Sequence, residues 1–302
     1  MLTQKIVKEY FNQLGSKSAM GTYTYEQAVQ WLRSVPENTE FVKLCYLDED
    51  NSEAAKRFAS SEEFSEVTQL LNLQKSTKPL KILDMGCGNG IASYALASLG
   101  HEVCAIDPDL SNDVGLEATR RLAYLLPDKG SIKTFQAFAE SLPFADSTFD
   151  VIYARQALHH FSDLKMGLSE CSRVLKKDGL FLATREHVVS NEQQLQTFLN
   201  DHVLHQLHGG ENAYSVETYL KALQQAKLSV LKCFPPFDTV INHFPTSNAQ
   251  IKERLINALT PKVGKRLAVL LSQLSWLKSL YRQRLSKGCQ LPGRLYSFFC
   301  KK

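Results

Sequence analysis

The residues best placed to do chemistry gather around a run of glycines. Gly86, Gly88 and Gly90 follow Lys81-Ile82-Leu83-Asp84-Met85, a short apolar strand pattern that carries an acid. A second acid, Asp107, stands twenty-three residues after Asp84, at the end of the strand-like run 102–106. A strand, a tight glycine turn, a helix and an acid at the next strand tip make a half-site for a nucleoside cofactor. Glycine has no Cβ, so the backbone of such a turn can approach a ligand closely. The N–H groups opening the following helix favour a ligand carboxylate. In this arrangement Asp84 would face a cationic, amine-bearing end, and Asp107 would accept hydrogen bonds from both ribose hydroxyls.

The spacing narrows the cofactor. A dinucleotide fingerprint G-x-G-x-x-G would need glycine at 91, where this chain has Ile91. G-x-G-x-G behind an acid fits S-adenosylmethionine (SAM) instead. Cys87 lies inside the turn, and Pro108 follows Asp107 where it would shape an adenosine pocket or simply a turn.

These residues need a scaffold. From Leu80 to Arg185, strand patterns at 80–85, 102–106, 132–137, 149–154 and 179–184 alternate with helix patterns at 90–99, 114–125 and 163–176. That alternation predicts a parallel, doubly wound α/β sheet. Right-handed crossovers then bring the strand C-termini to one crevice. Residues 1–72 read as helices: Ile6–Leu14, a turn or more around Ala28, Trp31 and Leu32, and a third from 52 to 71. Helices follow at 191–207 and 215–227, with Ser215 as N-cap. Strand patterns return at 228–234 and 293–300. The organisation expected is an N-terminal helical region at 1–75 that could cover substrate, a SAM-binding core at 76–190, and a C-terminal part at 191–302 that completes the sheet.

Leu80–Gly90, Val103–Asp107, Ala139–Phe161 with its Leu142-Pro143-Phe144 and Leu158-His159-His160, and Ser169–Leu180 together resemble the class I SAM-dependent methyltransferases. Within that class they resemble the ubiquinone-biosynthesis-like small-molecule group. The resemblance covers about residues 80–190. It implies a seven-stranded, mostly parallel, Rossmann-like sheet with the last strand antiparallel, and added N-terminal and C-terminal helices. It implies adenine contacts at Ala139 and Glu140, where Phe138 replaces the family's frequent acid. Ala154–Ala157, with Arg155 and Gln156, would lie under the methionine part.

Methyl transfer from a sulfonium is an in-line displacement in which the cofactor brings the activated methyl. The protein aligns nucleophile, methyl and sulfur, and a base is needed only for an acceptor that carries a proton. Catalytic candidates are His159 and His160 after the fourth strand, and Glu186 and His187 after the fifth. His159-His160 could equally cap structure, and Arg185-Glu186-His187 could equally be a solvated strand end. Arg185, Glu211, Asn212 and Tyr214 are candidate substrate contacts, the last three in a Gly-rich stretch that reads either as a lid or as a helix connection. His202, His205 and His208 suggest a metal only superficially, because 208 turns away from the other two on a helix and no carboxylate pair completes a site; no metal is expected.

Composition bounds the rest. The chain has 302 residues, is 44% hydrophobic and 22% charged, and lacks an apolar run long enough to span a membrane, which suits a globular protein with a sizeable core. No signal-peptide pattern opens it. Seven scattered cysteines without a C-x-x-C pair read as cytoplasmic thiols. Charge is uneven: residues 246–302 hold twelve Lys/Arg and one acid, Glu253, whereas residues 1–245 hold 23 basic and 30 acidic residues. The basic, helical 246–287 insert carries an apolar stripe over 263–285. It is either a helix packed on the core with a solvated basic rim or a surface for an anionic substrate or membrane. The function expected is methyl transfer from SAM to a small-molecule acceptor, anionic, glycan or lipid-linked. The alternatives are a nucleic-acid methyltransferase and a non-catalytic SAM-binding scaffold. The expected location is the cytoplasm, with peripheral membrane contact an option.

Overall fold

A computed structural model describes residues 23–126 and 130–302. The expected helix at Ile6–Leu14 lies outside the described residues. Seven strands form one sheet: β1 (Lys81–Met85), β2 (Glu102–Asp107), β3 (Ser131–Gln136), β4 (Phe149–Arg155), β5 (Leu175–Val188), β6 (Ser229–Phe234) and β7 (Arg294–Lys301). Their order is β3-β2-β1-β4-β5-β7-β6. The first five pair in parallel, and β7 runs antiparallel to both β5 and β6. The chain order reverses beside β1, so the C-terminal ends of β1 and β4 open a crevice at the switch point. Asp84 lies near the end of β1, and the parallel register that sets it opposite Ala105 brings Asp107, the last residue of β2, to the same edge of the sheet.

The central strands are buried on both faces. Leu83, Ile152 and Phe181 pack under the helices Leu164–Val174 and Val216–Gln225 on one side. Ile82, Val103, Tyr153 and Leu182 pack on the other against Ile91–Ser98 and the helices Asn51–Ala59 and Glu62–Leu70. The continuous apolar runs in β1 and β4 follow from this double coverage.

Four elements depart from the sequence reading. The helix expected over 52–71 divides at Ser60–Ser61, because the Ser61 hydroxyl accepts from Phe64 N–H and starts a new helix. The helix expected over 191–207 divides at His202, whose extended backbone and ring cap the short helix Val203–Leu207. The fifth strand does not stop at 184. It continues to Val188 through an irregularity at Arg185, which takes a left-handed φ of 61°. The polar triplet 185–187 is therefore buried, with Glu186 wholly covered, and is not a solvated strand end. Finally, the 263–285 stripe is not one helix packed on the core. Gly264 at φ 78° ends Asn248–Val263, and separate helices run over Lys265–Leu271 and Ser275–Gly288. Leu270 is 66% exposed, Trp276 58% and Leu280 53%, so much of the stripe faces outward.

The candidate cofactor and acceptor site

The glycine turn has the conformation its composition demands. Gly86 and Gly90 have φ of 68° and 80°, and a Cβ would come within 2.8 Å of the Ala157 side chain at the first and within 2.5 Å of Thr119 at the second. Only glycine meets both demands. The N-terminal helical region grips this turn: Asn89 Nδ2 donates to Tyr46 O at 2.8 Å, and Asn51 Nδ2 donates to Asn89 O at 2.7 Å.

The two acids are held in different ways. Asp107 Oδ2 accepts from Gly88 N–H and Oδ1 from Asp109 N–H, both at 2.9 Å. Each oxygen keeps a lone pair, which is what a ribose diol needs. Asp84 is 1% exposed, accepts from the Ser93 hydroxyl at 2.5 Å and is pushed up to about 7 by burial. A buried carboxyl of this kind favours a cationic ligand, whose charge would offset the desolvation.

Both acids open onto a cavity of about 1080 Å³. That is near the top of the range for ligand pockets, roughly 300–1,000 Å³, and leaves space for a nucleoside cofactor with a second small molecule. Gly86, Cys87, Gly88, Pro108, Ala139, Glu140, Arg155 and Gln156 also line it. Gly90 does not; it serves the turn. The Arg155 guanidinium is engaged elsewhere, paired with Glu63 at 2.8 Å and stacked over Tyr46 and Phe58. Tyr23, Tyr25, Phe41 and Cys45 form part of the wall. Sequence reading missed these four, because nothing local marks a helix that folds over a crevice built sixty residues later.

The far wall is a polar cluster. His159, His160, His187, His202 and Glu211 line it. Glu186, expected to work there, lies behind it. Its Oε1 accepts from the N–H groups of Ala157 and Leu158, and its Oε2 from His159 N–H, while His159 Nδ1 sits 2.7 Å from Oε2. Burial pushes Glu186 up to about 7, but three backbone donors oppose this and favour the carboxylate. Glu186 is thus a positioning residue for the Leu158–His160 turn. Burial holds His159 and His187 well below the usual histidine range and brings His202 down to about 4, so all three are neutral near pH 7.

The candidate substrate residues separate. Glu211 reaches the cavity. Arg185 lines it, but its guanidinium donates to Ile241 O at 2.7 Å and lies 3.8 Å from Glu63. Asn212 and Tyr214 do not line it; Asn212 Oδ1 accepts from Ala213 N–H, and Tyr214 packs on Tyr219. Of the histidines at 202, 205 and 208, only 202 and 208 line the cavity, and His208 Nδ1 is spent on Tyr23 O. The helix break at His202 undoes the spacing from which the sequence reading judged that set.

Comparison with known proteins matches this arrangement. Residues 83–183 match the family model described as "Methyltransferase domain". The uncharacterized methyltransferase YcgJ of Bacillus subtilis (strain 168) is 35% identical over 126 residues, which are 40% of this chain and 46% of that protein. A ubiquinone biosynthesis O-methyltransferase of Rhizobium etli (strain CIAT 652) is 28% identical over 144 residues, 47% of this chain and 56% of that one. The chain thus spans about half the length of the curated relatives it matches. A solved S-adenosylmethionine-dependent methyltransferase from Mesorhizobium loti shares the fold, with a TM-score of 0.53 at 17% identity over 80% of this chain and 99% of that one. Fold, turn and matched segment define a class I SAM-dependent methyltransferase domain.

Proposed function

We propose that this chain transfers a methyl group from SAM to an oxygen atom of a small-molecule acceptor. One observation carries the reading: a single cavity has the Asp84–Gly88 turn and Asp107 on one wall and the His159, His187, His202 and Glu211 cluster on the other. Asp107 would hold the ribose, Asp84 the methionine amine, and Ala139 with Glu140 the adenine edge. In the transfer a C–O bond forms at the acceptor and the methyl–sulfur bond of the sulfonium breaks. The hydroxyl proton leaves toward a base at this wall. The name of the O-methyltransferase relative supports oxygen as the methylated atom. Residues 23–47 act as a cover over the substrate.

A lipid-linked acceptor is the finer reading. No helix among the described residues is long and apolar enough to cross a membrane. The helices Lys265–Leu271 and Ser275–Gly288 instead combine exposed Leu270, Trp276 and Leu280 with Lys265, Arg266 and Lys278, a pairing suited to an anionic bilayer surface. The test of function is direct. The protein is incubated with methyl-labelled SAM and separated hydroxylated-lipid, polar-metabolite, nucleic-acid and protein fractions. Label in an alkali-stable ether fraction supports the reading, and label confined to nucleic acid or protein sinks it.

A further inference from the structure

The acceptor wall holds a set of groups that the methyl-transfer reading leaves unbalanced. His159, His187 and Glu211 each offer one ligand atom, and the three atoms lie within 4.8 Å of one another. His159 Nε2 is 3.6 Å from Glu211 Oε2. The tautomers follow from the partners behind the rings. His159 Nδ1 faces the Glu186 carboxylate at 2.7 Å, and His187 Nδ1 faces the Gly293 carbonyl at 3.0 Å. Both partners accept, so both Nδ1 atoms carry the proton and both Nε2 atoms present lone pairs. The side chain of Glu211 is 8% exposed, and its buried Oε2 has no hydrogen-bond partner. Imidazole lone pairs therefore share a small space with a carboxylate oxygen, with no donor between them. A cation would satisfy all three groups at once.

We propose that His159 Nε2, His187 Nε2 and the Glu211 carboxylate bind a divalent transition-metal ion of the zinc class, with an open position for an oxygen of the acceptor. Two imidazoles and one carboxylate with a vacant fourth place is the donor set of catalytic zinc sites. Magnesium and calcium would call for oxygen ligands instead. Bond lengths of about 2.0–2.1 Å put tetrahedral ligand atoms about 3.3 Å apart, so the His159–Glu211 separation needs little change and His187 a modest approach. The outer partners are of the kind metal sites use: a carboxylate behind one histidine and a backbone carbonyl behind the other. His202, with Nδ1 3.8 Å from Glu211 Oε1, borders the site. The role given to the metal, holding the acceptor oxygen, rests on the proposed function; the binding of the ion does not.

The test uses the full chain stripped with chelator. Co²⁺ is titrated in while visible absorption is followed, and Zn²⁺ by calorimetry. One ion per chain is expected, with ligand-field bands of four- or five-coordinate cobalt. Glu211→Gln and His187→Ala should each lose more than about 100-fold in affinity, beyond the 10–100-fold typical of outer-shell changes. His205→Ala, outside the cluster, should bind as wild type does. Histidine ¹⁵N spectra of the wild-type chain give a readout independent of variant folding: Zn²⁺ should shift Nε2 of two buried histidines and leave His101 unmoved. Absence of one-to-one binding, unshifted histidine resonances or wild-type affinity in a folded Glu211→Gln would overturn the site. S-adenosylhomocysteine titrations on the same samples separate the two readings. Loss of cofactor binding with metal binding intact refutes methyl transfer alone, and the converse refutes the metal alone.

Discussion

Cofactor affinity should depend on pH through Asp84. Its carboxyl sits at about 7 because burial penalises the charge, with Ser93 supplying only partial relief. If the methionine amine binds beside it, binding requires the ionised form. With a pKa near 7 the ionised fraction is about 0.09 at pH 6 and about 0.9 at pH 8, so affinity should rise roughly tenfold across that interval and level off above it. Calorimetry with S-adenosylhomocysteine at pH 6, 7 and 8, in buffers of different ionisation enthalpy, reads both the affinity and the proton released. Asp84→Asn should bind more weakly at pH 8 and show no such slope. The sign for stability is opposite. A carboxyl raised in the folded state from 3.8 to about 7 binds a proton more tightly there than when unfolded, so its contribution to the ligand-free protein falls as pH climbs from about 4 to 7. The shift corresponds to at most about 4 kcal/mol. Asp84→Asn should therefore raise the melting temperature of the ligand-free protein at pH 8 while weakening cofactor binding. Flat affinity from pH 6 to 8, or an unchanged slope in Asp84→Asn, would refute the placement of a cation at this carboxyl.

Three further outcomes follow from the geometry. Gly90→Ala should cost about 2–5 kcal/mol in denaturant unfolding, combining about 1–2 for a left-handed backbone with about 1–3 for the clash on Thr119. Gly88→Ala, whose Cβ would meet nothing closer than 3.5 Å, should cost only the backbone part, and equal costs would contradict the packing described. Glu63→Gln leaves the buried Arg155 and Arg185 without their shared carboxylate and should destabilise by about 3–5 kcal/mol in chemical denaturation; a change under about 1 would show the pair to be dispensable. Lys265→Gln with Arg266→Gln should weaken co-sedimentation with phosphatidylserine vesicles roughly 30-fold, from about 1 kcal/mol for each basic residue. Failure of the wild type to bind those vesicles at low salt would remove the membrane reading.

How much of this was written locally can be judged residue by residue. The strands 81–85, 102–107 and 149–155 were legible because strands buried on both faces are short, continuous and apolar. The glycine turn was legible because its left-handed φ values exclude most other residues. Asp84 and Asp107 could be placed because strand tips of a parallel sheet open on a common crevice. The far wall was not legible. His159, His187 and Glu211 are separated by 28 and 24 residues in the chain. Their meeting depends on the irregularity at Arg185, on the break at His202 and on a left-handed pair, Gly209 and Gly210, none of which the spacing of these three residues reveals. The outward stripe of 265–288 was likewise invisible, since helical spacing marks a face without saying what covers it.

Sequence alone determined the glycine-turn wall of the candidate site, because a turn and two strand ends are local objects whose residue types answer to backbone sterics and charge. Tertiary structure decided the opposite wall. There the decisive quantity is which lone pairs face one another across a cavity, and only the folded chain brings those atoms together.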